Sequence, residues 1–317
     1  MRRRAPGLGG ALYQRPAVLL VLATLFWAGN FIIGRAVRDA VPPVALAFWR
    51  WTLAAALVAP FGWRPLRRDW TLLRAHLPAV LLLSLLGIAT FNTLIYLGLH
   101  TTTALNAFLM QALMPVMIVL ISRLAFRDRV VPLQGVGIVL SLAGAVVVVV
   151  HGDLGQLLGL RLAPGDALVL VAVVSYAGYS AFLRWRPPLP PMAFLLVIFT
   201  LGATMLLPFY LWESLSGDPV RLSWTTVGSF AYVGVFPSIL AYLAFNRGVE
   251  LLGASRAGLF MHLMPLFGAV LSVALLGERL RPYHAMGGAL IVGGIALATV
   301  AGRRRSVPVK PAVAQDD

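Results

Sequence analysis

The sequence predicts an all-α polytopic membrane protein, with ten transmembrane helices arranged as two inverted five-helix repeats. Three observations carry this reading. Of 317 residues, 60% are hydrophobic and 12% charged, with mean hydropathy +0.87; a soluble domain is about 45–50% apolar and about 25% charged. Ten segments are apolar over the roughly 20 residues needed to cross about 30 Å of hydrocarbon. Finally, a shift of 150 residues lays 104–150 on 254–300 without a gap and yields 13 identities in 47 positions.

The spans fall at 17–34, 43–62, 77–99, 103–122, 131–150, 165–183, 191–212, 223–246, 256–276 and 283–301. The first is not a signal peptide, because no small-residue cleavage site follows it and further spans do. It carries Trp27 and Asn30, and the second carries Arg50, the one basic residue near mid-bilayer. The third holds Asn92 and Tyr96, four apart and therefore on one helix face. The fourth begins late, after Thr101-Thr102-Thr103, and places Gln111 before Pro115; the fifth has small residues at Gly137, Ser141 and Ala145. Asp166 opens the sixth, where an acid suits the positive helix end, and Tyr176 and Tyr179 follow it. The seventh span contains Pro208 and the eighth Pro237, and in the eighth Tyr242 and Asn246 again share a face. The ninth sets His262 before Pro265, and the tenth repeats small residues at Ala285, Ala289 and Gly293. Membrane helices tolerate such prolines because neighbours re-satisfy the freed backbone groups. The small-residue stripes let helices approach closely; packing within one chain accounts for them, so a homodimer is permitted but not indicated.

The repeat is marked by more than apolarity. At 150 residues, Leu113-Met114-Pro115 falls on Leu263-Met264-Pro265, Arg129 on Arg279, Pro132 on Pro282, Gly137 on Gly287 and Gly144 on Gly294. At 148, Pro43 falls on Pro191 and Pro60-Phe61 on Pro208-Phe209; at 149, Trp27-Ala28-Gly29 falls on Tyr176-Ala177-Gly178. The chain therefore divides into a segment 1–16, a first repeat 17–150, a linker 151–164, a second repeat 165–301 and a tail 302–317. Five spans per half force the second half to insert upside down, as in many secondary transporters.

The charge of +15, from 26 Lys+Arg against 11 Asp+Glu, sits between the apolar blocks. With the N-terminus cytoplasmic, 19 basic residues fall on that side, 6 on the other, and Arg50 lies within the membrane. The positive-inside rule then places both termini in the cytoplasm and explains the basic balance as topology. Nucleic acid is not a partner; anionic lipid and a small-molecule substrate are. The plasma membrane is the expected location.

With these residues in place, the chain resembles the EamA-like branch of the drug/metabolite transporter superfamily over about 17–301. The resemblance rests on Trp27-Ala28-Gly29-Asn30, Pro43 with Arg50 seven residues on, Ala104 through Pro115, and Leu276-Gly277-Glu278-Arg279-Leu280. Phe126-Arg127-Asp128-Arg129 departs from the Gly-Glu pair the family shows in the first half, though Asp128 keeps the charge. The resemblance implies a ten-helix carrier that moves small metabolites by alternating access, with amino acids or related compounds as the leading substrate class. It names no single substrate.

Polar residues inside spans usually face the bundle or a cavity. Arg50 reads either as a cation that meets a substrate carboxylate or as a structural arginine satisfying backbone carbonyls at helix breaks. The shift of 150 maps Asn92 and Tyr96 onto Tyr242 and Asn246, so an inverted repeat sets the two pairs symmetrically about one central site; interhelical hydrogen-bond glue is the alternative. Asn30 and Tyr179 suit an amphipathic cavity for the substrate, with Trp27 and Tyr176 beside them, and Gln111 and His262, just before the two prolines, are further candidates to bind it. A lone membrane histidine is most often a hydrogen-bonded structural residue. No acid lies well inside a span, which speaks against a buried carboxylate proton relay. The phosphate-loop, HExxH and GxSxG patterns and paired carboxylates are missing, and with no cysteine there is no thiolate chemistry. An enzyme is thus not expected, nor a resident cofactor or metal. A membrane-embedded enzyme, or a sensory or structural membrane protein, stands as the alternative to transport.

Overall fold

The computed structural model describes residues 12–37, 40–216, 220–276, 279 and 281–303. Ten of its helices are long and apolar enough to cross a membrane. They are α1 (Pro16–Gly34), α2 (Pro43–Arg68), α3 (Leu77–Gly98), α4 (Asn106–Phe126), α5 (Pro132–Val149), α6 (Pro164–Trp185), α7 (Pro191–Leu215), α8 (Trp224–Leu252), α9 (Ala254–Leu271) and α10 (Pro282–Val300). Residues 277, 278 and 280 of the motif before α10, like both chain ends, lie outside the described residues.

Several helices outrun the expected spans. The second span was expected to end at 62, yet α2 continues through Pro65 to Arg68, and α8 passes 246 to reach Leu252. Hydropathy marks where the hydrocarbon ends, whereas helical hydrogen bonding continues into the polar turns that carry Arg64, Arg67, Arg247 and Glu250. One residue, Gly253, separates α8 from the helical turns of α9. Its φ of +82° reverses the chain in a conformation open to glycine without steric cost.

Irregularities repeat with the halves. A π-helical stretch occupies Leu85–Thr90 in α3 and Val235–Leu240 in α8, 150 residues apart. In α8 the cause is visible: Pro237 has no N–H to give Val233 O, and the Ser238 hydroxyl donates to that carbonyl instead, at 2.7 Å. Such wide turns leave carbonyls free for other donors. The α4 helix breaks between Gln111 and Met114, and α9 passes through a 3-10 turn at Phe260–His262, each just ahead of its proline.

The halves join closely along α5 and α10. A Cβ placed on Gly137 would lie 2.5 Å from Gly294 O, and one on Gly144 would lie 2.6 Å from Gly287 O. These four glycines exchange in pairs under the 150-residue shift, so a pseudo-two-fold axis relates the two contacts. The α5 stripe is part of this seam, with Ser141 and Ala145 buried. The α10 stripe is not: Ala285, Ala289 and Gly293 are exposed, and α10 packs inward through Gly287, Ile291, Gly294 and Ala298. The expectation of packing within the chain is corrected for that face. Small residues occur on both sides of α10, and four-residue spacing could not tell which side meets α5.

Candidate functional site

The centre of the bundle is built around Arg50, which α2 carries inward until 1% of its surface is exposed. Its Nε donates to Ser238 Oγ at 2.7 Å and its Nη2 to Pro237 O at 3.0 Å. Its Nη1 faces three acceptors: Asn92 Oδ1 at 2.9 Å, Asn30 Oδ1 at 3.0 Å and Tyr96 Oη at 3.2 Å. The Tyr96 hydroxyl donates onward to Asn30 Oδ1 at 3.1 Å, and the guanidinium lies 4.5 Å from the Trp51 ring centroid. Elements α1, α2 and α3 of the first half thus converge on the π-helical turn of the second. Trp27 Nε1 donates to the same Pro237 O at 3.0 Å.

Every oxygen that holds Arg50 is neutral. Among the described residues no carboxylate pairs with it; the acids sit at helix ends. Asp166 accepts from the Thr102 hydroxyl, Asn106 Nδ2 and the Ala163 N–H. Glu213 caps the start of α2 through the Val44 and Ala45 N–H groups at 3.0 and 2.7 Å. Burying a guanidinium without a counter-charge is expensive even when dipoles surround it. An anionic ligand is what this centre would stabilise most.

The second half supplies the counterpart. The Tyr179 hydroxyl donates to Asn246 Oδ1 at 2.9 Å, and the Tyr242 hydroxyl to Gly87 O, in the other π-helical turn, at 2.6 Å. Gly87 and Pro237 are equivalent under the 150-residue shift, so each half's wide turn accepts from the other half. Aromatic rings fill the space between the two polar sets. Trp27 meets Tyr176 edge-on at 5.6 Å, and Trp51 meets Tyr242 at 5.4 Å. Tyr176 is buried with its ring edge-on to Tyr242, centroids 6.2 Å apart. The arginine itself has no counterpart, because the 148-residue shift puts Ile198 at its position.

Asn30, Arg50, Asn92 and Tyr96 therefore form one group, and Tyr179, Tyr242 and Asn246 an abutting one. Gln111 and His262 form a third group, at the breaks of α4 and α9. His262 Nε2 donates to Ala112 O at 2.9 Å, while its Nδ1 lies 2.8 Å from Ser141 Oγ. Ala112 is the 150-residue equivalent of His262, so the pseudo-two-fold axis passes through this contact. Gln111 Nε2 is buried without a partner beside a cavity of about 10 Å³, room for about one water. Sequence reasoning missed Trp51, Ser238 and the Pro237 carbonyl; the available signals were the adjacency of Trp51 to Arg50 and a Pro-Ser step inside a span.

Comparison with known proteins follows the same division. The EamA-like transporter family matches residues 14–150 and 163–300, five helices in each match. The chain belongs to the EamA-like transporter family. Among relatives, the uncharacterized transporter YyaM of Bacillus subtilis is 27% identical over 291 residues, covering 89% of this chain and 92% of that protein. An uncharacterized transporter of Archaeoglobus fulgidus is 28% identical over 294 residues, covering 89% and 96%. A protein of Streptantibioticus cattleyicolor named as a probable terminal-alkyne amino-acid exporter is 27% identical over 293 residues, covering 90% and 94%. One solved crystal structure superposes with a TM-score of 0.72 at 22% identity, over 92% of this chain and 99% of the other, and so shares the EamA-like fold.

Proposed function

We propose that this EamA-like protein is a secondary transporter exporting small carboxylate-bearing metabolites, amino acids or related compounds, across the plasma membrane, with both termini cytoplasmic. The observation that carries the reading is Arg50: a buried cation held by neutral oxygens alone, at the meeting of the two repeats. The amino-acid exporter among its relatives supports the substrate class. A carboxylate at Arg50 would neutralise the centre, and the neighbouring rings suit the rest of an amphipathic molecule. The cavity that borders Asn246 is about 10 Å³, whereas small-molecule pockets run to about 300–1,000 Å³, so a substrate does not fit beside that amide as the helices stand. Loading therefore requires the helices to move, and the wide turns and breaks of α3, α4, α8 and α9 are where they bend.

Metabolites released by cells with and without the protein test this directly. Accumulation of a carboxylate compound in the medium is expected only with the protein present, and identical media would contradict the reading. Topology is tested separately: reporters fused after 155 and at the C-terminus should give opposite signals, and matching signals would exclude the proposed orientation.

The tyrosines offer a finer test. Tyr96→Phe removes one of the two donors to Asn30 Oδ1 and an acceptor from Arg50, and Tyr242→Phe takes its side-chain donor from Gly87 O. Each hydroxyl hydrogen bond contributes about 0.5–1.5 kcal/mol, so apparent affinity should shift about two- to tenfold. Should both variants melt lower while their affinities stay unchanged, the tyrosines are helix glue and not part of the substrate site.

A further inference from the structure

Tyr13 and the ends of α6 and α8 lie on one face of the bundle, and that face is closed by charge. Glu250, in the last turn of α8, pairs through Oε2 with Arg186 Nη2 at 3.1 Å and through Oε1 with Arg247 Nη1 at 3.0 Å. Arg247 reaches on to the segment before α1, donating to Gln14 Oε1 at 2.9 Å and Tyr13 O at 3.4 Å, with its guanidinium 4.9 Å from the Tyr13 ring centroid. Arg186 directly follows the 3-10 turn Leu183–Trp185 that ends α6. One carboxylate thus ties α6 to α8, and Arg247 extends the tie to the N-terminal segment as a strap.

Beneath the tie lies a cavity of about 10 Å³ lined by Tyr13, Arg186, Phe194, Leu195, Asn246 and Arg247 among others. Asn246 is the amide that accepts from Tyr179, so the cavity is bordered on one side by the tie and on the other by a residue of the second polar group. The arrangement is one-sided. Under the 150-residue shift Arg247 falls on Leu97 and Glu250 on His100, and the acids Glu213 and Asp166 at the other face are held by N–H and hydroxyl donors.

We propose that Glu250, Arg186 and Arg247, with Tyr13 and Gln14 as strap, form the gate on this face, holding the route to Asn246 shut and opening it when the ion pairs separate. The Glu250 side chain is 45% exposed. Ion pairs so wet are individually weak and screened by salt, which suits a closure that must break on every cycle. The proposal does not depend on which substrate is carried.

The chain has no cysteine, so a single introduced thiol reports without background. In the full-length protein purified in detergent, Leu195→Cys should react slowly with a charged, impermeant maleimide. Adding Glu250→Gln should speed that reaction about tenfold, as when an open state grows from a minor population. Arg186→Gln, which keeps the Arg247 pair, should give a smaller rise, and raised ionic strength should act in the same direction on the parent. Ala145→Cys, buried in the α5–α10 seam away from the tie, serves as the control and should label equally slowly with and without Glu250→Gln. An unchanged rate at Leu195→Cys in both charge variants overturns the gate, and so does an equal rise at the control position, which would mean general loosening.

Discussion

Arg50→Gln is expected to lower transport at least about thirtyfold while protein abundance stays near normal. Removing one partner of a buried, hydrogen-bonded charge pair costs about 2–5 kcal/mol, and about 2 kcal/mol at the loaded step already gives that factor. Glutamine retains hydrogen-bonding capacity without charge and reaches fewer of the five acceptors that surround the guanidinium. Arg50→Lys separates charge from geometry. It keeps the cation, but a lysine has a compact head and no planar fork, so it cannot span Ser238, Asn92 and Pro237 together, and intermediate activity is expected. If Arg50 merely pins the helices, Arg50→Gln should lower abundance and melting temperature along with transport. A variant with an unchanged transport rate would remove Arg50 from both accounts. Flux and melting temperature measured on the same purified variants distinguish these results.

The second large effect belongs to the α5–α10 seam. Gly137→Leu should destabilise the protein by about 1–3 kcal/mol or more, the range for overpacking a close-packed site, because its Cβ alone would stand 2.5 Å from Gly294 O. Backbone cannot swing aside as a flexible side chain can, so the two helices must part. Gly287→Leu, its repeat equivalent, should behave alike, since its Cβ would meet Gly144 O at 2.7 Å. Gly135→Leu, with nothing within 4 Å of its Cβ, serves as the control and should melt like the parent. Thermal melting followed by size exclusion is the measurement; parental melting of both seam variants would disprove the close contact.

The parts of this architecture that composition determines were legible. Hydropathy located the ten spans, and matched Pro, Arg and Gly at fixed offsets revealed the repeat. Helix ends were less legible, because α2 and α8 continue as polar turns beyond the apolar stretch. The π-helical turn in α8 has a cause in Pro237, but Leu85–Thr90 contains no proline, and the sequence there gives no sign of a wide turn. Among site residues, Asn92, Tyr96, Tyr242 and Asn246 stood out because polar groups at helical spacing are rare in apolar helices. Trp51 did not, since a buried tryptophan reads the same as one in the interfacial belt. Arg186 and Arg247 were counted among the basic residues that set topology, and Glu250 drew no reading of its own; their meeting depends on how the ends of α6 and α8 pack. The contact of His262 with Ala112 likewise required knowing that α4 and α9 cross at their breaks.

Recognition of a substrate carboxylate by Arg50 is the core of the proposed transport. Counterflow in nucleotide-free vesicles containing the purified protein tests it most directly, using one amino acid that cells release through the protein, its carboxamide and its decarboxylated amine as internal competitors. The account predicts saturable counterflow with the amino acid, at least about tenfold weaker exchange with the carboxamide and the amine, since a lost charge-assisted hydrogen bond is worth about 1.5–3 kcal/mol, and no discrimination among the three in Arg50→Gln. Equal exchange of all three by the parent protein, or flux that appears only when ATP is added, would contradict it.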